Sequence, residues 1–348
     1  MNNDEEFYSF TNFTIHQFNV VCGILLPYLE KNSCRPALPS ELRFAAVLNY
    51  LAKADSVHKN ALFYTIGEST LYAIVPEVCK IICAVLGPRY LRKPSTEDLK
   101  RVAYEFNQLD FPHCIGLLDG KHCEVRKPKH SGSAYYNYKK FHSIVMMAIS
   151  DIHKRFLMIN VGGYGSLNDA FTFNNSDICA GLENGELCLP PPELIPGSNL
   201  LVPYFLIGDG GFPLKQYLMK PFMRVNNMTP NMEIFNSRLS HVRQTVECAF
   251  GSLTAYWAIH QKELRWDLAT SEQIIISTAC LHNYRITMNL REKRGFINHW
   301  IDAPIGYTED NQIEIVAPIQ FNAIDVRNSL AEYFISPAGA VPWQWGRI

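Results

Sequence analysis

Four short apolar runs constrain the fold of this chain more than any other feature of its sequence. They span residues 114–118, 143–149, 156–161 and 204–207, and each is followed by Asp, Gly or Ser. Continuous apolar runs of this length, some of them rich in β-branched residues, are typical of strands that are buried on both faces. The sequence therefore predicts an α/β or α+β sheet in the middle of the chain.

Apolar residues at helical spacing predict helices on both sides of this region. The predicted helices lie at about 13–29, 40–51, 58–64, 69–82, 95–106, 233–259 and 271–283. The Pro-rich segment 183–203 is predicted to be an irregular loop.

Residues 40–82 have the outline of a helix-turn-helix module, with a helix, a short helix, a tight turn and a third helix. The third helix has no Lys or Arg between Ser69 and Cys79, and Pro76 is expected to kink it. Plain helical packing gives the same outline, and these features favour packing over DNA reading. A linker is predicted to follow at Gly87 and Pro88 and at residues 93–95.

The charge of the chain is nearly balanced, with 32 Lys and Arg residues against 33 Asp and Glu residues among 348. This balance excludes a domain that is basic overall, and the 47% apolar content excludes a disordered chain. The most apolar stretch, 71–86, is interrupted by Pro and charged residues, so no membrane span is expected. The ten Cys residues form no CxxC pair, which indicates reduced thiols in a cytosolic or nuclear protein.

Two acids stand directly after or near the end of an apolar run and before Gly. Asp119 precedes Gly120, and Asp209 precedes Gly210. A strand end fixes the carboxylate and Gly lets a substrate backbone come close, although an Asp that simply opens a turn has the same pattern. Asp169 looks more like an ordinary helix cap.

Glu247 differs because it lies in the middle of a predicted helix, beside the buried stripe. Gly251, one turn later, leaves space above its head group, and Arg243 lies one turn before it. Two interpretations stay open at this point. Glu247 is either a partly exposed partner of Arg243 or a carboxylate that a helix delivers to a site on the sheet.

Charge segregates around these acids. Residues 156–214 contain six acids and no Lys or Arg, whereas residues 121–142 contain six basic residues and one acid, with four aromatic residues among them. Clustered carboxylates favour a hard cation such as Mg²⁺ or Mn²⁺, and a basic and aromatic stretch suits contacts with a nucleic acid. A solvated basic loop is the alternative for the second segment.

Six ordered motifs resemble those of PIF/Harbinger-type DDE transposases. They are FPHCIGLLDGKH at 111–122, YKKFHSI at 138–144, GSLND at 165–169 with Asn175 and Ser176, GDGGFPL at 208–214, VECAFG at 246–251 and LHNY at 281–284. The resemblance runs from about 112 to 286 in the family's order. The helical segment 38–106 also resembles the N-terminal region of that family.

The resemblance implies an RNase H-like catalytic domain at 112–286, with a mixed sheet flanked by helices. A segment at 1–37 and a small, all-α, helix-turn-helix-like domain at 38–106 would precede it, and a C-terminal tail at 287–348 would follow. The site would be that of a divalent-metal nuclease, with Asp119, Asp209 and Glu247 as the catalytic triad and Asp169 as a further metal ligand.

The function expected from this resemblance is DNA cleavage by a two-metal DDE mechanism that uses Mg²⁺ or Mn²⁺. The two ions would activate the attacking water and stabilise the leaving oxygen of a phosphodiester. Lys121, Lys139, Lys140 and Arg243 are expected to contact phosphates. The expected location is the nucleus, with the cytoplasm as a second location, and the expected partners are DNA and a separate DNA-binding protein, with an oligomer left open.

Departures from the family pattern support an alternative. No basic residue follows Gly251 up to Ile259, Asn168 stands where His often precedes the fourth acid, and Gly210 stands where Ser is common. The alternative is a domesticated protein, weak or inactive as a nuclease, that binds DNA or another protein. Because both termini are acidic, residues 31–297 alone carry a net charge of +7, so modest and salt-sensitive DNA affinity is expected on one face.

Overall fold

The computed structural model describes residues 4–31, 37–294 and 321–347. A mixed five-stranded sheet forms its centre, in the order β3-β2-β1-β6-β7. β1 pairs antiparallel with β2, β2 pairs antiparallel with β3, and the neighbours β1, β6 and β7 are parallel. The strands are β1 Cys114–Glu124, β2 Ser143–Ser150, β3 Phe156–Tyr164, β4 Glu193–Leu194, β5 Leu201–Val202, β6 Phe205–Ile207 and β7 Leu218–Met219. β4 and β5 form a separate small sheet.

The four apolar runs are the four main strands, as predicted. Every residue of β2 is buried, which explains why that strand shows no polar alternation. β1 is longer than its apolar run, because its ladder with β2 continues from Leu117 as far as Glu124. Asp119 therefore lies inside a strand, and the prediction that it directly follows one is wrong.

Helices form on all seven segments predicted to be helical, and further helices were not predicted. They are α1 Asp4–Thr11, α2 Ile15–Leu29, α3 Ser40–Lys53, α4 Val57–Phe63, α5 Glu68–Tyr90, α6 Thr96–Asn107, α7 Asp169–Asn174, α8 Asp177–Glu183, α9 Pro230–Tyr256, α10 Leu268–Arg294 and α11 Ala323–Ile335. Of these, α1, α7, α8 and α11 were not predicted. α6, α9 and α10 pack on the sheet. This mixed α/β architecture agrees with the fold expected for an RNase H-like domain.

Helix α5 shows one correction to the predicted elements. It continues through Pro76 and Pro88 to Tyr90, so the part of the linker predicted at Gly87 and Pro88 is wrong, whereas residues 93–95 do connect α5 to α6. Proline removes a backbone donor from a helix, but here burial outweighs that loss. Tyr90 is buried against the ring of Tyr284, and Asn283 donates a hydrogen bond to the Tyr90 carbonyl at 2.6 Å.

α5 is also long and apolar enough to cross a membrane, judged by length and composition alone. A core helix of a soluble protein passes the same test. In this chain α5 packs along α10, and its residues Leu71, Val75 and Val78 are fully buried.

The C-terminal segment contains a helix that the sequence did not predict. α11 packs against α9, and the buried Arg238 of α9 donates to the Gly339 carbonyl at 2.6 Å and through Nε to Gln344 Oε1 at 2.9 Å. Residues 295–320 of the predicted tail lie outside the described residues. The proposed domain boundaries stay predictions.

Candidate active site

Asp119 and Asp209 lie beside each other on parallel neighbouring strands. Leu117 of β1 pairs with Ile207 of β6, and each Asp lies two residues beyond its paired position. Asp119 Oδ1 accepts the Gly120 N–H at 2.9 Å, and Asp209 Oδ1 accepts the Gly211 N–H at 2.8 Å. The local backbone therefore fixes both carboxylates at the same end of the sheet.

Asp169 joins this pair from helix α7. Asn168 caps that helix by accepting the Phe171 N–H at 2.8 Å, so the expectation that Asp169 is the cap is wrong. A Cβ atom on Gly120 would lie 2.9 Å from Asp169 Oδ1. The space beside Gly120 thus holds a carboxylate of the chain, and the expectation that it receives a substrate backbone is corrected.

The three Asp carboxylates act on one another electrostatically. Burial is the main cause that raises the pKa of Asp119 to about 6, with Asp209 and Asp169 adding to it and Arg243 opposing it. Burial and the charge of Asp209 also raise the pKa of Asp169, against the charge of Lys139. A site that already disfavours its own negative charges gains free energy when a cation binds.

Glu247 approaches the same site through Arg243. Arg243 Nη2 lies 4.0 Å from Asp119 Oδ2 and 3.8 Å from Glu247 Oε1. The side chain of Glu247 is 60% exposed, and nothing lies within 4 Å of a Cβ on Gly251, so Glu247 has open space. Both interpretations of Glu247 survive: it is a partly exposed partner of Arg243 and it borders the carboxylate site.

The four acids of the site have the chemistry of metal ligands, but they are not arranged as a complete ligand set. Within residues 4–31, 37–294 and 321–347, no group of three or more His, Cys, Asp or Glu side chains is arranged to hold one ion. The donors are nevertheless all carboxylate oxygens, which suit Mg²⁺ or Mn²⁺, and the Arg243 guanidinium lies between two of them. Chemically the residues fit a hard divalent cation, provided that Arg243 and the exposed Glu247 move.

The predicted basic residues divide into two groups. Arg243 lies within the acid site, and Lys139 is close enough to Asp169 to lower its pKa. Lys121 lies on β1, two residues beyond Asp119, while Lys140 is exposed at a loop tip. Among the described residues, neither Lys121 nor Lys140 forms an ion pair or a hydrogen bond with the four candidate acids.

Two residues near the site were not predicted from the sequence. His122 Nδ1 lies 2.9 Å from Ser143 Oγ, and burial, Lys139 and Lys121 lower the pKa of His122 to about 4. Asn137 is buried and organises the basic loop that precedes β2. An Asn directly before an aromatic and two Lys residues was the available signal, since Asn side chains often close tight turns.

Sequence comparisons relate the chain to a family of endonucleases. Residues 118–283 match the family model described as "DDE superfamily endonuclease", a range that contains all four candidate acids. "Protein ALP1-like" of Arabidopsis thaliana is 28% identical over 251 residues, which cover 71% of this chain and 60% of that protein. "Putative nuclease HARBI1" of Bos taurus is 22% identical over 299 residues, 84% of this chain and 80% of that protein. The human protein of that name is 22% identical over 269 residues, 74% and 72% of the two chains. No solved structure gives a significant match.

Proposed function

Because residues 118–283 belong to the DDE superfamily endonuclease family, we propose that this chain cleaves DNA phosphodiester bonds with the help of a divalent metal ion. The observation that carries the proposal is that Asp119, Asp169 and Asp209 lie close enough for their charges to act on one another, with Glu247 linked to Asp119 through Arg243. The relatives named ALP1-like and HARBI1 support a transposase-derived nuclease.

Each acid would have a defined part in this function. Asp119 and Asp209, fixed by backbone N–H groups, would hold Mg²⁺ or Mn²⁺, with Asp169 and Glu247 completing the oxygen ligands. Such a bound ion activates water and stabilises the leaving oxygen. Arg243 and Lys139 carry positive charge beside the acids and would orient the phosphate. The proposal takes DNA as the substrate and the nucleus as the location, both on the strength of the family resemblance.

A nicking assay on supercoiled DNA tests the proposal. With Mg²⁺ or Mn²⁺ in excess, Asp119→Asn, Asp209→Asn and Glu247→Gln should each reduce the nicking rate by at least roughly 100-fold, since each removes a charged ligand. Glu186→Gln, which changes an exposed acid of the same acid-rich segment, is the control and should nick normally. A chelator should abolish nicking by the wild type.

One observation favours a second candidate function. The described residues contain no ready-made group of three metal-ligating side chains. A domesticated chain that binds DNA without cutting it would retain the acids but show no nicking. If the wild type binds DNA and all variants nick as poorly as it does, this second function replaces the first.

A further inference from the structure

A tight loop at residues 135–143 stands beside the acid site, and we call it the Tyr138 loop. Its closing bonds run from the Ser143 N–H to the Tyr135 carbonyl at 2.8 Å and from the Asn137 N–H to the Phe141 carbonyl at 2.9 Å. Lys140 has the left-handed φ of 69° that a sharp reversal needs. The loop therefore ends in a tip of only three residues, 138–140.

The buried side chain of Asn137 holds this tip in place. Its Oδ1 accepts the Lys139 N–H at 2.9 Å and the Phe141 N–H at 3.3 Å, while its Nδ2 donates to Ser143 Oγ at 2.8 Å. Every polar atom of the amide therefore has a partner. A tip fixed in this way loses little conformational entropy when a ligand binds.

Tyr138 is the most exposed of the aromatic side chains near the site, at 78%. Its ring meets the ring of His122 edge-on, with centroids 5.5 Å apart, and Lys139 Nζ lies 5.5 Å from its centroid. A largely exposed tyrosine contributes little to the core, so packing alone does not account for its position.

The position of the ring relative to Asp169 follows from β1. Side chains alternate along a strand, so Gly120 and His122 point to the same face. Asp169 Oδ1 lies over Gly120 on that face, and Tyr138 contacts His122 two residues farther along. The Lys139 charge acts on Asp169, which connects the tip to the carboxylates a second time.

We infer that the Tyr138 loop binds an unpaired nucleotide of the DNA, with its base stacked on the Tyr138 ring and its phosphates beside Lys139 and Lys140. The inference rests on the proposed function, because it takes DNA as the ligand of the adjacent site. Bases within a duplex are covered on both faces by their neighbours, whereas an unpaired or extruded base offers a face for stacking. The structure thus assigns a preference for DNA that is single-stranded or distorted next to the carboxylates.

The test measures binding of the full chain by fluorescence anisotropy, with a labelled single-stranded oligonucleotide and its blunt duplex, in a chelator. Tyr138→Ala should weaken single-strand binding by at least about fivefold and duplex binding by less than twofold, because stacking contributes only to an unpaired base. Tyr138→Phe should bind like the wild type. Tyr104→Ala removes a 67% exposed tyrosine from α6 and should also change nothing.

A second measurement reports stacking directly. A 2-aminopurine base in the single strand should lose fluorescence on binding the wild type and Tyr138→Phe, and keep it with Tyr138→Ala. Equal weakening of single-strand and duplex binding by Tyr138→Ala, or unchanged quenching, would overturn the inference. So would a wild type that binds both DNAs equally.

The chelator separates this inference from the proposed function. Asp209→Asn should retain the single-strand preference even though it loses nicking. If Tyr138→Ala binds normally while Asp209→Asn fails to nick, the stacking inference fails and the nuclease stands. If the Tyr138 effects appear and the wild type never nicks, the nuclease fails and the stacking loop stands.

Discussion

Arg243 provides a positive charge between two of the acids proposed to bind a metal ion. Its Nη2 is 4.0 Å or less from both Asp119 and Glu247, and its buried Nε has no hydrogen-bond partner among the described residues. Both contacts are longer than a good charge-assisted hydrogen bond. The guanidinium therefore neutralises the carboxylates without being tightly held by them, and it competes with any cation for the same oxygens.

Replacing this charge gives a measurable prediction. Arg243→Gln should bind Mn²⁺ more tightly, by roughly two- to fivefold for a partly exposed charge pair, because a competing cation is gone. Isothermal titration calorimetry without DNA checks this directly. Nicking should fall in the same variant if Arg243 orients the phosphate.

Arg224→Gln is the matched control, because Arg224 is exposed and makes no ion pair among the described residues. It should leave the Mn²⁺ affinity unchanged. Weaker Mn²⁺ binding in Arg243→Gln than in the control would contradict competition between the guanidinium and the ion.

The LHNY motif has a structural explanation as well as a family one. Asn283 donates to the carbonyls of Tyr90 and Phe156 and accepts the Phe156 N–H at 2.8 Å. Tyr284 donates to the Gln17 carbonyl at 2.6 Å. These buried bonds join α2, α5 and β3 to one turn of α10, so the motif fastens the N-terminal helices to the sheet.

Gly165, directly after β3, packs so closely against the backbone of Tyr135 and Ser143 that only glycine fits there. A Cβ on Gly165 would lie 2.5 Å from the Ser143 carbonyl oxygen and 2.6 Å from that of Tyr135. The Gly165 N–H also donates to the Ser143 carbonyl at 3.0 Å. The end of β3 is thereby pressed against the base of the Tyr138 loop.

A substitution at this contact should displace the loop. Because the clashing atoms are backbone, Gly165→Ala should lower the free energy of unfolding by about 1–3 kcal/mol, measured by urea denaturation. Single-strand binding should fall with it, since the Tyr138 loop moves. Gly23→Ala, in α2 with nothing within 4 Å of the added Cβ, should instead be neutral or stabilise by up to about 1 kcal/mol. Equal stability changes in the two variants would refute the steric argument.

Two buried histidines couple the stability of the whole molecule to pH. Burial lowers the pKa of His260 to about 3, and the charge of Lys121 lowers it further. Burial lowers the pKa of His282 to about 4; the charge of Arg285 acts in the same direction, and the charge of Asp151 opposes it. Their unfolded pKa is 6.5, so only the unfolded chain gains these protons as pH falls below 6.5. The stabilisation is present above pH 6.5 and is lost towards pH 4. The raised pKa of Asp119 acts in the opposite direction.

The variant His282→Gln measures the contribution of one of these histidines to the pH dependence of stability. Gln can still donate to the Lys154 carbonyl, which His282 Nε2 contacts at 2.8 Å. The stability difference between wild type and variant should shrink by up to roughly 1.4 kcal/mol for each pH unit below 6.5, measured by urea unfolding from pH 7 to 4.5. A difference independent of pH would contradict the assignment.

The sequence by itself determined the four main strands, most helices and the position of Asp209 after a strand. Apolar runs without polar alternation can only be buried strands or helices, and their length and the residues that follow them identified strands. Asp209 could be placed near a strand end because burial pattern is local information, whereas Asp119 lies inside β1, whose ladder with β2 continues past the apolar run. The length of α5 and the presence of α11 could not be predicted, because partners distant in sequence stabilise them. Asn283 donates to the Tyr90 carbonyl at the end of α5, and the Arg238 guanidinium lies over the Phe334 ring of α11.

Only the tertiary structure decided how the site is assembled. Asp169 over Gly120, Arg243 beside Asp119, and Tyr138 beside His122 are contacts between residues 16 to 124 positions apart. Such contacts depend on strand register and helix placement. Packing of the whole core determines both, so a local sequence pattern cannot predict them. The residue types and their neighbours in sequence thus identified the candidate carboxylates. Packing determined that Arg243 and the Tyr138 loop lie next to them.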